Sequence, residues 1–154
     1  MRRGWTGRRG ESGVTPLDRC ATGTTIALRR RMPLRHHTLV AWQRADDLFI
    51  EVHQLTLKSF PSFEKYELGS QVRRAAFSIA VNIVEGCARR HRDDRLRFLD
   101  ISRASLAELG YCLHVARRLE YISVERYAVF EKSLNQLGAA LSGFINAVRD
   151  GRAL

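Results

Sequence analysis

The stretch Gln71-Val-Arg-Arg-Ala-Ala-Phe-Ser-Ile-Ala-Val-Asn-Ile-Val-Glu-Gly-Cys-Ala-Arg-Arg90 reads as a helix with apolar residues on two sides. At about 100° per residue, Leu68, Val72, Ala76, Ile79 and Ile83 line one face. Phe77, Val81, Val84 and Ala88 line the opposite one. A single polar stripe runs between them: Gln71, Arg74, Ser78, Asn82, Glu85 and Arg89. A surface helix of a small monomer carries one apolar stripe. The second face needs a cover, and in a chain of 154 residues that cover is expected to be another subunit.

Working outward, the same periodicity recurs on both sides. Leu39 to Lys58 forms a first helix, with Ala45, Leu48, Phe49, Val52 and Leu55 on one face. Phe60-Pro61-Ser62 ends it, because proline lacks the amide hydrogen that a helix interior needs. The second helix is expected from Phe63 to Arg89, closed by Gly86 and the charged run Arg89-Arg90-His91-Arg92. Asp93 or Asp94 is the expected N-cap of a third helix reaching Leu119. Its apolar arc holds Phe98, Leu99, Leu106, Leu109, Leu113 and Ala116. Ser123 caps a fourth helix, with Ile122 and Tyr127 placed as a hydrophobic staple.

In that fourth helix Tyr127, Phe130, Leu134, Leu137, Leu141, Phe144 and Val148 recur at alternating spacings of three and four. This is a heptad seam, which packs helices at about 20°. Gly138 and Gly143 would each cost about 1 kcal/mol against Ala if exposed, so a close helix–helix approach is expected at both. Four helices with short connections predict an all-α, antiparallel up-down-up-down bundle. The organisation is then a basic extension over 1–38, a bundle over 39–150 and a short tail over 151–154.

The charge is uneven. The chain is +10 overall, yet residues 1–38 hold nine Arg against Glu11 and Asp18 and so carry +7 of it. The Gly/Thr/Arg-rich extension has little to bury, a composition that reads as disordered. Three readings of it stay open. It is a nucleic-acid-binding arm, an upstream extension before a start at Met32, or an Arg-rich presequence of the mitochondrial type. No run of 18 apolar residues is present, which argues against a transmembrane span. Cys20, Cys87 and Cys112 are odd in number without C-x-x-C spacing, fitting a reducing cytoplasm and neither a disulfide scaffold nor a zinc site.

Polar residues fall where core is expected. Ser105 and Glu108 interrupt a wide arc on helix three that Ile101, Ala104, Cys112, Val115 and Leu119 extend. Facing Ser78, Asn82 and Glu85 of helix two, they are expected to form one hydrogen-bonded network. Glu85 and Arg89 have the favourable i,i+4 order for an ion pair, and Arg74 and Arg103 are candidates to neutralise Glu108. Two nearby carboxylates can also bind a metal or do acid–base work. Against this, a di-iron bundle needs Glu-x-x-His twice, and no Glu here has His three residues later. His53, His91 and His114 lack metal-ligand spacing. No P-loop, G-x-S-x-G or G-x-G-x-x-G occurs. The network is therefore expected to be structural, and no catalytic residue, metal or cofactor is assigned.

Basic clusters remain: Arg73, Arg89, Arg90, Arg92, Arg95, Arg97, Arg117 and Arg118. Arg offers bidentate geometry to phosphate. The alternative is a solvated surface in a chain where Arg outnumbers Lys 23 to 3. In an oligomer a modest patch per subunit is multiplied.

Val40-Ala-Trp-Gln-Arg-Ala, Phe60-Pro, Gln71-Val-Arg-Arg-Ala, Ser78-Ile, Asn82-Ile-Val-Glu-Gly86, Phe98-Leu and Ser105-Leu-Ala-Glu-Leu109 occur in this order. Over about 39–148 the chain resembles the small four-helix-bundle proteins encoded in intervening sequences of bacterial large-subunit ribosomal RNA genes. The resemblance implies an antiparallel bundle assembled as a homopentamer, and a natural start near Met32. A related branch comprises accessory proteins of diversity-generating retroelements, basic pentamers that bind a reverse transcriptase and nucleic acid. The chain departs from that branch in carrying the general R-R-A…N-I-x-E-G signature on a mildly basic bundle. Asn82, Glu85, Ser105 and Glu108 match motif positions, and they are read as architectural. The expected function is non-catalytic, oligomeric binding of structured RNA or DNA. The alternative is a protein adaptor, for which a reverse transcriptase is one candidate partner.

Overall fold

The computed structural model describes residues 35–153; the readings made for residues 1–34 lie outside them. Four helices carry the chain: α1 (Val40–Ser59), α2 (Leu68–Ala88), α3 (Arg92–Arg118) and α4 (Val124–Arg149), preceded by one 3-10 turn at Arg35–Thr38. Among the described residues there is no strand, and no helix is long and apolar enough to cross a membrane.

The helices close around one core. α2 packs on α1 and α3, and α4 packs on α3 and α1, which leaves α1 and α3 diagonal. Along the α1–α2 seam Thr56 meets Arg73 and Phe49 meets Phe77. Along α2–α3, Ser78 meets Ser105 and Gly86 meets Arg95. Along α3–α4, Gly138 meets Leu106 and His114 meets Tyr127. The apolar stripes explain the closure. Val72, Ile79 and Ile83 of α2, Leu99, Leu109 and Leu113 of α3, and Phe130, Leu137 and Leu141 of α4 are all fully buried. Each buried Leu, Ile or Phe is worth about 1.5–3 kcal/mol against exposure.

The helix ends differ from expectation in two places. α2 begins at Leu68, not Phe63, because residues 62–67 form a turn with its own bonds. The Pro61 carbonyl accepts from the amides of Glu64 and Lys65 at 3.0 and 3.1 Å. The Glu64 carboxylate accepts from the Leu68 amide at 3.2 Å, so it serves the helix start from four residues upstream. α3 is capped by His91 rather than by Asp93 or Asp94, and His91 makes no side-chain cap bond. The two aspartates sit in the first turn, where the helix dipole favours them. Ser123 caps α4 as expected, accepting from the Arg126 amide at 3.2 Å.

α3 ends in a Schellman motif without glycine: the Tyr121 amide donates to the Ala116 carbonyl and Glu120 adopts φ 60°. Neither of the two glycines assigned to close approaches is required by one. A Cβ at Gly138 would make only an ordinary van der Waals contact, 3.5 Å from Leu106 Cδ2, and Gly143 is exposed with nothing within 4 Å.

Candidate functional site

The polar residues of α2 and α3 form a smaller network than the sequence implies. The Ser78 and Ser105 hydroxyls lie 2.8 Å apart across the helix pair. Asn82 Nδ2 donates back to the Ser78 carbonyl at 2.7 Å and to its hydroxyl at 3.1 Å. Ser105 Oγ also reaches the Ile101 carbonyl at 3.0 Å. Ser102, which the sequence reading passed over, donates to the Ile79 carbonyl at 2.9 Å and is fully buried. Its position between Leu99 and Ser105 on the α2 side of α3 was the available signal.

Glu85, Glu108 and Arg74 do not join this network. Glu85 pairs with Arg89 at 3.6 Å, as the i,i+4 spacing predicts, with both side chains nearly half exposed. Glu108 is exposed, and Arg103 pairs with Asp100 at 3.0 Å instead of with it. Arg74 is exposed too. Water solvates these charges, so none needs a buried partner. Glu108 still acts locally. Burial first, then the Glu108 charge, pushes the Cys112 thiol above its ordinary value. Among the described residues no cluster of His, Cys, Asp and Glu is placed to hold a metal ion.

The eight arginines separate into two groups. Arg89, Arg90, Arg92 and Arg97 are exposed around the turn from α2 to α3, and Arg118 is exposed at the far end of α3. Arg89 also lies over the Phe98 ring at 4.4 Å, which orients its guanidinium. The other three are engaged within the fold. Arg95 is 6% exposed and donates to the Arg89 carbonyl at 3.0 Å and the Ala153 carbonyl at 3.3 Å. It therefore braces the turn and is withdrawn from phosphate contact. Arg73 donates to the Thr56 hydroxyl at 3.0 Å and to the Lys65 carbonyl at 2.8 Å, fixing the turn between α1 and α2. Arg117 is half-buried over the Tyr127 ring at 5.2 Å, with its Nε enclosed and without a hydrogen bond. Periodicity could have flagged Arg95, which lies four residues before Leu99 on the buried face.

The second face of α2 is open in the single chain. Phe77 is 54% exposed, Val81 and Val84 are half-buried and Ala88 is exposed. α1 extends this face: Phe77 meets Phe49 at 5.6 Å between ring centroids, and Trp42 borders the same cleft. At the mouth of α1, His36 and His37 contact Trp42 at 4.9 and 5.0 Å, and burial followed by the His37 charge lowers the His36 pKa.

No curated protein matches the chain significantly. A solved structure of a protein of unknown function from the S23 ribosomal protein family of Bacteroides thetaiotaomicron is similar, with a TM-score of 0.65 and 22% identity over 70% of this chain and 96% of that one. At that identity the likeness is one of fold. The profile of the family described as 23S rRNA-intervening sequence protein matches residues 37–143, from the turn before α1 to near the end of α4. Spanning the helices and every motif that carried the resemblance, this match establishes that the chain belongs to the 23S rRNA-intervening sequence protein family.

Proposed function

We propose that the protein is a non-catalytic, cytoplasmic homo-oligomer that contacts structured RNA or DNA through arginines. Each subunit is an antiparallel up-down-up-down bundle, a reading supported by residue pairs whose numbers rise in one helix as they fall in its neighbour. Thr56 with Arg73 and Phe49 with Phe77 is one such series, and Ser78 with Ser105 and Gly86 with Arg95 is another. Assembly through Phe77, Val81, Val84 and Ala88 is supported by the open apolar face of α2, and a pentamer is what the family resemblance implies.

The observation that carries the nucleic-acid reading is the exposed group Arg89, Arg90, Arg92 and Arg97 on a short braced turn. Glu85 and Asp93 offset it in part, through contacts of 3.6 and 3.4 Å. Phosphate contacts of this kind supply affinity and register without reading sequence. The test is binding of the purified protein to a structured ribosomal RNA fragment and to duplex DNA at two salt concentrations. Tight binding that collapses at the higher salt supports the reading. No binding at low salt removes it in favour of a protein adaptor, for which a reverse transcriptase is a candidate partner.

A further inference from the structure

We infer that the cleft between α1 and α2 of one copy receives the outer seam of α3 from a second copy, head to tail, with Asp46 and Arg97 paired across the contact. This rests on the oligomer reading above and adds which surface fills the cleft. The cleft has a volume of about 210 Å³ and is walled by Trp42, Phe49, Phe77, Val81 and Val84, with Asp46 its one charged group. Asp46 is half-buried and pairs with no cation among the described residues. Arg44, two residues away, donates instead to Gln136 at 2.8 Å. Covering an unpaired carboxylate with apolar surface is costly, so a stable cover brings its own cation. Two such clefts meeting about a two-fold axis would place like charges in one contact, which disfavours that arrangement.

The seam on α3 has the opposite character. Arg97, Ile101 and Ala104 follow one another at spacings of four and three, so they lie in a line. Ile101 is 43% exposed, with half-buried Leu96 beside it and the small Ala104 next in line. Of the acids three or four residues from Arg97 along the helix, Asp93 and Asp100 are engaged elsewhere, and Asp94 makes no ion pair with it. Asp93 contacts Arg92 at 3.4 Å and Asp100 pairs with Arg103 at 3.0 Å. Among the described residues Arg97 pairs with no carboxylate. An apolar knob one turn from an unpaired cation thus matches an apolar cleft that holds an unpaired anion. A contact between two different surfaces repeats from copy to copy and closes as a ring or continues as a filament.

Cross-linking and charge exchange in the full chain test this. In a Cys20→Ser background, Val81→Cys with Ile101→Cys is expected to give, on mild oxidation, a covalent ladder extending beyond the dimer, while each single variant stays uncrosslinked. Asp46→Arg and Arg97→Asp are each expected to raise the dissociation constant of the assembly at least about tenfold. Combining them is expected to bring it back to within about threefold of the parent. Both charged positions lie outside the core, so this second readout does not depend on the cysteine variants folding. An oligomeric parent with no ladder, a dimer formed by Val81→Cys alone, or a charge-exchanged double variant no better than the worse single overturns the inference and leaves the oligomer reading standing. A parent that is monomeric at every concentration removes both.

Discussion

Ser78 on α2 and Ser105 on α3 share a hydrogen bond of 2.8 Å, and one helical turn away Ser102 holds the Ile79 carbonyl of α2 at 2.9 Å. Hydroxyls therefore fix the register of this helix pair from two sides. Ser102→Ala leaves the contact unmade at a fully buried site and is expected to cost about 1 kcal/mol in urea denaturation. For Ser78 and Ser105, a double-mutant cycle with alanine is expected to give a positive coupling of about 0.5–1.5 kcal/mol. Strict additivity would show that the two hydroxyls do not depend on each other.

Two glycines are predicted to respond to alanine with opposite signs. A Cβ at Gly69 would lie 2.9 Å from the Glu64 carbonyl oxygen, in the turn that starts α2. Backbone must move to admit it, so Gly69→Ala is expected to destabilise by about 1–3 kcal/mol. Gly143 lies inside α4 with nothing within 4 Å, and Gly143→Ala is expected to stabilise the single chain by about 0.5–1 kcal/mol. Melting temperatures of the two variants check both.

Tyr121 gives a pH dependence at the alkaline end. Its hydroxyl donates to Glu64 Oε1 at 3.2 Å. Burial first, then this bond and the Glu64 charge, raise its pKa above the ordinary 10.0. The folded state then holds the phenolic proton longer than the unfolded state does. Stability is fully present below the ordinary value and declines as pH rises from there through the folded pKa. Tyr121→Phe is expected to flatten that decline in a denaturation series above pH 10.

For assembly, charge on the open face of α2 is the direct probe. Phe77→Asp and Val81→Asp are expected to reduce the native mass measured by light scattering while helical circular dichroism is retained. Phe77 is 54% exposed in the single chain, so its replacement leaves the core intact. An unchanged mass would move the subunit interface elsewhere.

For ligand binding, Arg89, Arg90 and Arg92 replaced together by Ala are expected to weaken nucleic-acid affinity and flatten the salt slope by up to about three phosphate contacts. Arg95→Ala is expected to differ in kind, lowering stability because it removes bonds to the Arg89 and Ala153 carbonyls. Parallel salt titrations and melts of the two variants separate the roles.

Much of the helix content was legible because burial imposes a period on the sequence. Leu99, Leu109 and Leu113 announce the inner face of α3, and the seam from Phe130 to Val148 announces that of α4. The start of α2 was hidden because Phe63, Glu64 and Tyr66 fit a helical period while their bonds build a turn. The division of the arginines was hidden for a related reason. A long side chain on a surface-like position can fold back onto carbonyls, as Arg73 and Arg95 do, and composition does not report those partners. The network around Ser78 was legible in its uncharged members and overestimated in its carboxylates, since the hydroxyls are covered and need a partner while Glu85 and Glu108 reach water.

The bond from Arg95 to the Arg89 carbonyl bears on how an anion would meet this corner of the molecule. The turn from α2 to α3 is short, and its main chain is already pinned from beneath. The guanidiniums of Arg89, Arg90 and Arg92 thus extend from anchored Cα positions, and only their side chains need to settle. A ligand gains no affinity from ordering a loop here and loses none to it. Under the proposed function, selectivity would then fall to spacing: the side chains could settle on anions whose charges lie within their reach of the anchored Cα positions, and an anion that required the backbone to adapt would be disfavoured.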